Sequence, residues 1–170
     1  MIVNACLLLM FLLVLARPNS FYKPSYLATL SGVLSLSTWG FLGISTVTLD
    51  GLIGGANWIT LVRDVFATLS FWFYREAVAR ATGRRPLGAP SPDTRGLRRV
   101  PWLLIGLVLV YAVPFALIAD RGPTSPGFVM DRLDQTTVWL FATTYMAGLV
   151  FLSVDALRMI RRPRGVLLVI

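Results

Sequence analysis

The sequence predicts an all-α fold, a polytopic transmembrane helical bundle of about five spans, with the N-terminus outside and the C-terminus inside. Three observations predict it. Of 170 residues, 56% are hydrophobic and only 14% charged, against about 25% charged in an ordinary soluble domain. The apolar residues come in long blocks, of the length needed to cross a hydrocarbon core about 30 Å thick. Most charges sit in the gaps between blocks, and basic and non-basic gaps alternate.

The first expected span is residues 2–16, which stops at Arg17-Pro18. It has no basic region ahead of its apolar run, and Val14-Leu15-Ala16 is a weak cleavage triplet. A retained span is therefore expected, with a cleaved signal as the alternative. The connector 17–25 holds two prolines and Lys23, with Phe21 and Tyr22 suited to a headgroup boundary. The second span is 26–49, rich in Gly, Ser and Thr, and 50–57 (DGLIGGAN) is a glycine-rich turn. The third span is 58–77, running into an Arg-rich loop at 75–99 that Pro86, Pro90 and Pro92 break in its middle. The fourth span is 101–119, with Pro114 expected to kink it. A short polar loop, 120–134, leads to the fifth span at 136–157. The tail, 158–170, starts with basic residues and ends in GVLLVI, expected to lie in the inner interface. A truncated sixth span is the other reading of that end.

Loop charge orients the set. The 75–99 loop holds seven Arg, the tail four, and the first connector Arg17 and Lys23. The 50–57 turn has no basic residue, and the 120–134 loop only Arg121 and Arg132. Basic loops stay on the cytoplasmic side, so the N-terminus and the two sparse loops fall outside. The same rule accounts for the net charge of +8, and Arg84, Arg85, Arg98, Arg99, Arg161 and Arg162 are expected to contact anionic lipid of the inner leaflet. No nucleic-acid partner is expected.

The chain has no His, and Cys6 is its one cysteine. That excludes an intrachain disulfide, metal sites built on His or paired Cys, and triads that need His. No cofactor or enzymatic activity is expected.

The informative stretch is the third span, WITLVRDVFATLSFWFYREAVAR. Arg63 and Asp64 lie within it, since a helix begun after Asp64 has only ten residues before Arg75. At about 100° per residue, Asn57, Thr60, Asp64 and Thr68 fall on one line with Arg63 on its flank. Trp58, Leu61, Val62, Val65, Phe66, Leu69, Trp72 and Phe73 fall opposite. The polar line is expected to face other helices or an aqueous cavity, and the aromatic-rich face to meet lipid. Three roles fit Arg63 and Asp64: mutual neutralisation that fixes packing, a proton or cation site, or a site for a polar partner at the outer face.

The second span offers the packing partner. Ala28, Gly32 and Ser35 share one face, where small side chains let helices approach closely. Asp155 is expected to form an ion pair locally with Arg158 or with another helix. Glu76 and Arg80, spaced i, i+4, read as a solvated extension of the third helix.

The stretch LDGLIGGANWITLVRD resembles the N-terminal part of a group of actinobacterial multi-spanning membrane proteins, in which an Asp-containing Gly/Asn turn precedes a span. The fifteen Arg and single Lys fit a GC-rich coding genome of that kind or of its phages. The resemblance implies a multi-spanning helical fold, though those proteins have about seven spans, and it implies no residue roles. The leading expectation is a protein acting through helix or lipid contacts, as a regulator, a subunit or a phage exclusion or immunity factor, with the bilayer and a membrane protein or second copy as partners. The alternative is a transporter or channel component using Arg63 and Asp64.

Overall fold

A computed structural model of the chain describes residues 2–16, 23–40, 44–83 and 102–161. Within these it is all helical and has no strand. The helices are α1 (Ile2–Leu15), α2 (Pro24–Ser37), α3 (Thr46–Leu52), α4 (Trp58–Ala81), α5 (Trp102–Ala116), α6 (Phe128–Asp131) and α7 (Thr136–Arg161).

The expected span at 26–49 is not one helix. It breaks after Ser37 and restarts at Thr46. Ser and Thr hydroxyls bond backbone carbonyls at the end of α2. Ser37 Oγ donates to the Val33 carbonyl at 2.7 Å and Thr38 Oγ1 to the Ser35 carbonyl at 2.7 Å. Gly40 then takes a positive φ of 116°, a conformation glycine reaches without a Cβ clash. Ser45 starts the next helix as its N-cap, accepting from the Thr48 N–H at 3.1 Å. Thr46 Oγ1 donates back to the Thr38 carbonyl at 3.1 Å and so bridges the break.

The other helices begin close to where the sequence places them. α4 runs past the expected span end at 77 to Ala81, one residue beyond the extension expected to Arg80. Pro114 lies inside α5, where it has no N–H to give the preceding turn. By length and composition, α7 alone among the described helices is long and apolar enough to cross a membrane; α5 is apolar but shorter. At 1.5 Å per residue, the 14-residue α1 and α2 reach only about 21 Å. The 24-residue α4 reaches about 36 Å but carries Arg63, Asp64, Arg75, Glu76 and Arg80.

α4 is the central element. It packs most extensively on α2, then on α7, α5 and α3, while α1 lies against α2. The main core is aromatic and joins α5, α6 and α7: Tyr111, Phe115, Phe128, Val138 and Phe141 are all buried. Trp58, Leu61 and Val65 of α4 pack onto it. A second cluster joins Trp72 of α4 to Leu104 of α5 and Leu152 of α7. This corrects the expected lipid-facing side of α4. Its aromatic and aliphatic face supplies the contact with α5 and α7, and Trp72 is buried. The reason is topological: a helix enclosed on several sides has no broad outward face.

Candidate functional site

The side chains of the expected polar line are buried, with Asn57, Thr60, Asp64 and Thr68 all shielded. They do not form one site. The structure groups Arg63, Asp64 and Thr68 in mid-helix and gives Asn57 a separate task at the helix start.

In the mid-helix group, Arg63 Nε donates to Asp64 Oδ1 at 3.1 Å. The Arg63 guanidinium carbon also lies 4.7 Å from the ring centre of Trp39, just past the end of α2, within cation–π range. Thr68 Oγ1 donates to the Asp64 carbonyl at 2.8 Å. Its single proton is thereby committed, so the Tyr111 hydroxyl is the donor in the 3.1 Å contact between Tyr111 and Thr68. Thr60 is buried one turn before Asp64.

The residues expected to pack α2 lie against this helix. Ser35 Oγ donates to the Arg63 carbonyl at 3.0 Å. Ser70 Oγ donates to the Ala28 carbonyl at 2.8 Å. A Cβ on Gly32 would meet Ser70 Oγ at 3.0 Å, so the two helices approach here as closely as a glycine permits.

Asn57 belongs to a second constellation, which sequence reasoning missed. Its centre is Asp50, placed by the sequence in a turn and found in α3 with no exposed surface. Asp50 Oδ2 accepts the Asn57 N–H and Oδ1 the Ile59 N–H, both at 2.8 Å. The carboxylate thus serves two orphan donors at the start of α4, where the helix dipole favours negative charge. It also accepts the Thr124 hydroxyl from the 120–134 loop. Asn57 sits in a left-handed conformation. Its carboxamide donates to the Arg121 and Pro123 carbonyls at 2.9 and 3.1 Å and accepts the Ser125 N–H at 2.9 Å. The two loops expected on the outer side are thereby joined. The legible signal was an acid shortly ahead of a helix start, separated from it by glycines.

A third polar group closes the other end of α4. Arg75 is buried and pairs with Asp155 of α7 at 2.6 Å and with Glu76 at 2.8 Å. The partner of Asp155 is therefore another helix. The expected solvated extension at Glu76 is corrected, because Glu76 is buried while Arg80 is exposed. α4 continues to Ala81 with α7 alongside, so Glu76 lies inside the helix contact.

In the 120–134 loop, Arg132 Nη1 donates to Asp120 Oδ2 at 2.7 Å, and the Gly122 N–H donates to Asp120 Oδ1 at 2.9 Å. The Arg132 hydrogen bond, then the Gly122 N–H, hold the exposed Asp120 carboxyl below its ordinary value. Of the basic residues expected at the inner leaflet, Arg161 is exposed in the last turn of α7. Arg84, Arg85, Arg98, Arg99 and Arg162, and the segment GVLLVI, lie outside the described residues.

Among the described residues, no group of three or more His, Cys, Asp or Glu side chains is arranged to hold a metal ion. Compared with known proteins, the chain matches no family model, no curated protein and no solved structure.

Proposed function

We propose that this chain is a small multi-pass protein of the bacterial cytoplasmic membrane that acts through helix and lipid contacts rather than catalysis. In this reading it crosses about five times, N-terminus out and C-terminus in, and serves as a regulator, subunit or exclusion factor for another membrane component.

The observation that carries the reading is an inverted distribution of polarity. Asp50, Asn57, Asp64, Thr68 and Arg75 are each at most 5% exposed. Meanwhile Leu117 is 67% exposed, and Met146 and Val150 of α7 are each 60% exposed. α7 continues this surface with Phe151, Val154, Leu157 and Ile160. Water penalises so much exposed apolar surface on a lone chain, whereas lipid accepts it and requires internal charges to be paired. The described helices that carry buried charge, α3 and α4, have it met: Asp50 by N–H groups of α4's start, Asp64 by Arg63, and Arg75 by Glu76 and Asp155. The shorter helices reach across a bilayer by thinning it locally or through flanking residues.

A second reading is favoured by one feature. Arg63 and Asp64 lie beside the interrupted segment between α2 and α3, with Trp39 stacked on the guanidinium. Interrupted helices mark ion and substrate sites in transporters. Proton flux into liposomes carrying the purified chain separates the two. The contact reading expects flux at the level of empty liposomes, for the native chain and for Asp64→Asn alike. Flux in the native chain that Asp64→Asn abolishes, with folding intact, establishes transport instead.

A further inference from the structure

We propose that the α1–α2–α4 groove is a binding site for one anionic phospholipid of the inner leaflet; this rests on the membrane reading above. Two hollows of about 510 and 420 Å³ lie next to each other along α2, with Met10 and Thr29 in the walls of both, and together make up this groove. Its two ends differ chemically. One end holds Lys23 and Ser25. The other is lined by Val33, Leu36 and Phe71, with Gly32 and Ser70 at its floor, where α2 and α4 meet.

That polarity fits an amphiphile with a negative head. Lys23 is exposed at the mouth, and neither set of described lining residues includes an acid. The apolar part runs from Ala28 to Leu36, nine helical residues or about 13 Å. One leaflet supplies about 15 Å of hydrocarbon, so a single acyl chain fills this length. Lys23 belongs to a connector that loop charge assigns to the inner side, where anionic lipid is concentrated. A second copy of the chain is the poorer occupant, because its net charge of +8 brings like charge to Lys23.

The test is native mass spectrometry of the full chain, released from micelles containing equal phosphatidylglycerol and phosphatidylcholine. The native chain is expected to retain one phosphatidylglycerol in preference to phosphatidylcholine. Lys23→Gln is expected to weaken retention about fivefold, the order of one basic group at an anionic surface, while Lys23→Arg keeps it. Leu36→Trp, at an exposed position in the apolar end, is expected to displace the acyl chain. Equal retention of both lipids, or unchanged retention in Lys23→Gln and Leu36→Trp, overturns the site. So does a lipid-independent dimer that Leu36→Trp dissociates. Release of the chain from membranes by alkaline carbonate overturns the membrane reading itself, and this site with it.

Discussion

The two sides of α4 are held by different physics. Toward α2 the contact is close and polar: Gly32 against Ser70, and two serine hydroxyls donated to opposing backbone carbonyls. Toward α5 and α7 it is broad and aromatic. Trp58 of α4 lies with its ring centre 5.5 Å from that of Phe115, and so joins the α5–α7 ring contacts of Phe115 with Phe141 at 5.1 Å and Tyr111 with Tyr145 at 5.6 Å. The α2 seam relies on the absence of side-chain bulk and the aromatic seam on its presence. Two polar contacts cross that side, Thr68 with Tyr111 of α5 and the Arg75–Asp155 ion pair with α7.

The largest expected break is on the aromatic side. Phe115 is fully buried and meets Trp58, Phe128 and Phe141. Phe115→Ala should cost about 3–5 kcal/mol, read as a lowered thermal midpoint in mild detergent. The same truncation on the α2 side has no equivalent, since the key position there is already a glycine. Gly32→Leu tests that seam in the opposite sense. Overpacking should cost about 1–3 kcal/mol and weaken a disulfide engineered between α2 and α4, while leaving the α5–α7 contact unchanged.

Smaller effects sharpen the contrast. Ser35→Ala or Ser70→Ala should each cost about 0.6 kcal/mol, the average for such interhelical bonds in membranes; a denaturation series reads this difference. Ala56 lies outside both seams, in a left-handed conformation at φ 58°. Ala56→Gly should therefore stabilise the chain by about 1 kcal/mol in the same assay. The smallest effect concerns pH. The folded chain depresses the Asp120 pKa, chiefly through Arg132. Its contribution is present above the unfolded carboxylate value of about 3.9 and is lost as pH falls through the folded value. Arg132→Ala should weaken that acid-side dependence in the melting profile without touching either seam, leaving the smaller part due to the Gly122 N–H.

Much of this architecture was legible in the sequence. The apolar blocks located five helix starts, at Ile2, Pro24, Trp58, Trp102 and Thr136, to within two residues, because hydropathy blocks act locally. The small-residue face of α2 was legible for the same reason. The break after Ser37 was not, although Gly40 and Ser45 mark it, because a long apolar average conceals one glycine turn and one N-cap. Periodicity also placed Asp64 and Thr68 inside. It misjudged the opposite face, since periodicity gives the direction of a polar stripe and not the number of neighbours around a helix. Asp50, Thr124 and the Arg75–Asp155 pair were hidden because their partners are 74 and 80 residues distant in the chain. No local pattern encodes such a meeting.

The proposed topology is the claim on which the lipid site and the reading of α4 both depend. Its most direct measurement is labelling of single cysteines in a Cys6→Ser background by a membrane-impermeant maleimide on intact spheroplasts. Leu52→Cys and Met130→Cys, both highly exposed positions, should label from outside. Ser91→Cys in the Arg-rich loop should label only after the membrane is opened. Labelling of Ser91→Cys on intact cells together with Leu52→Cys, or recovery of the chain without membrane, contradicts the account.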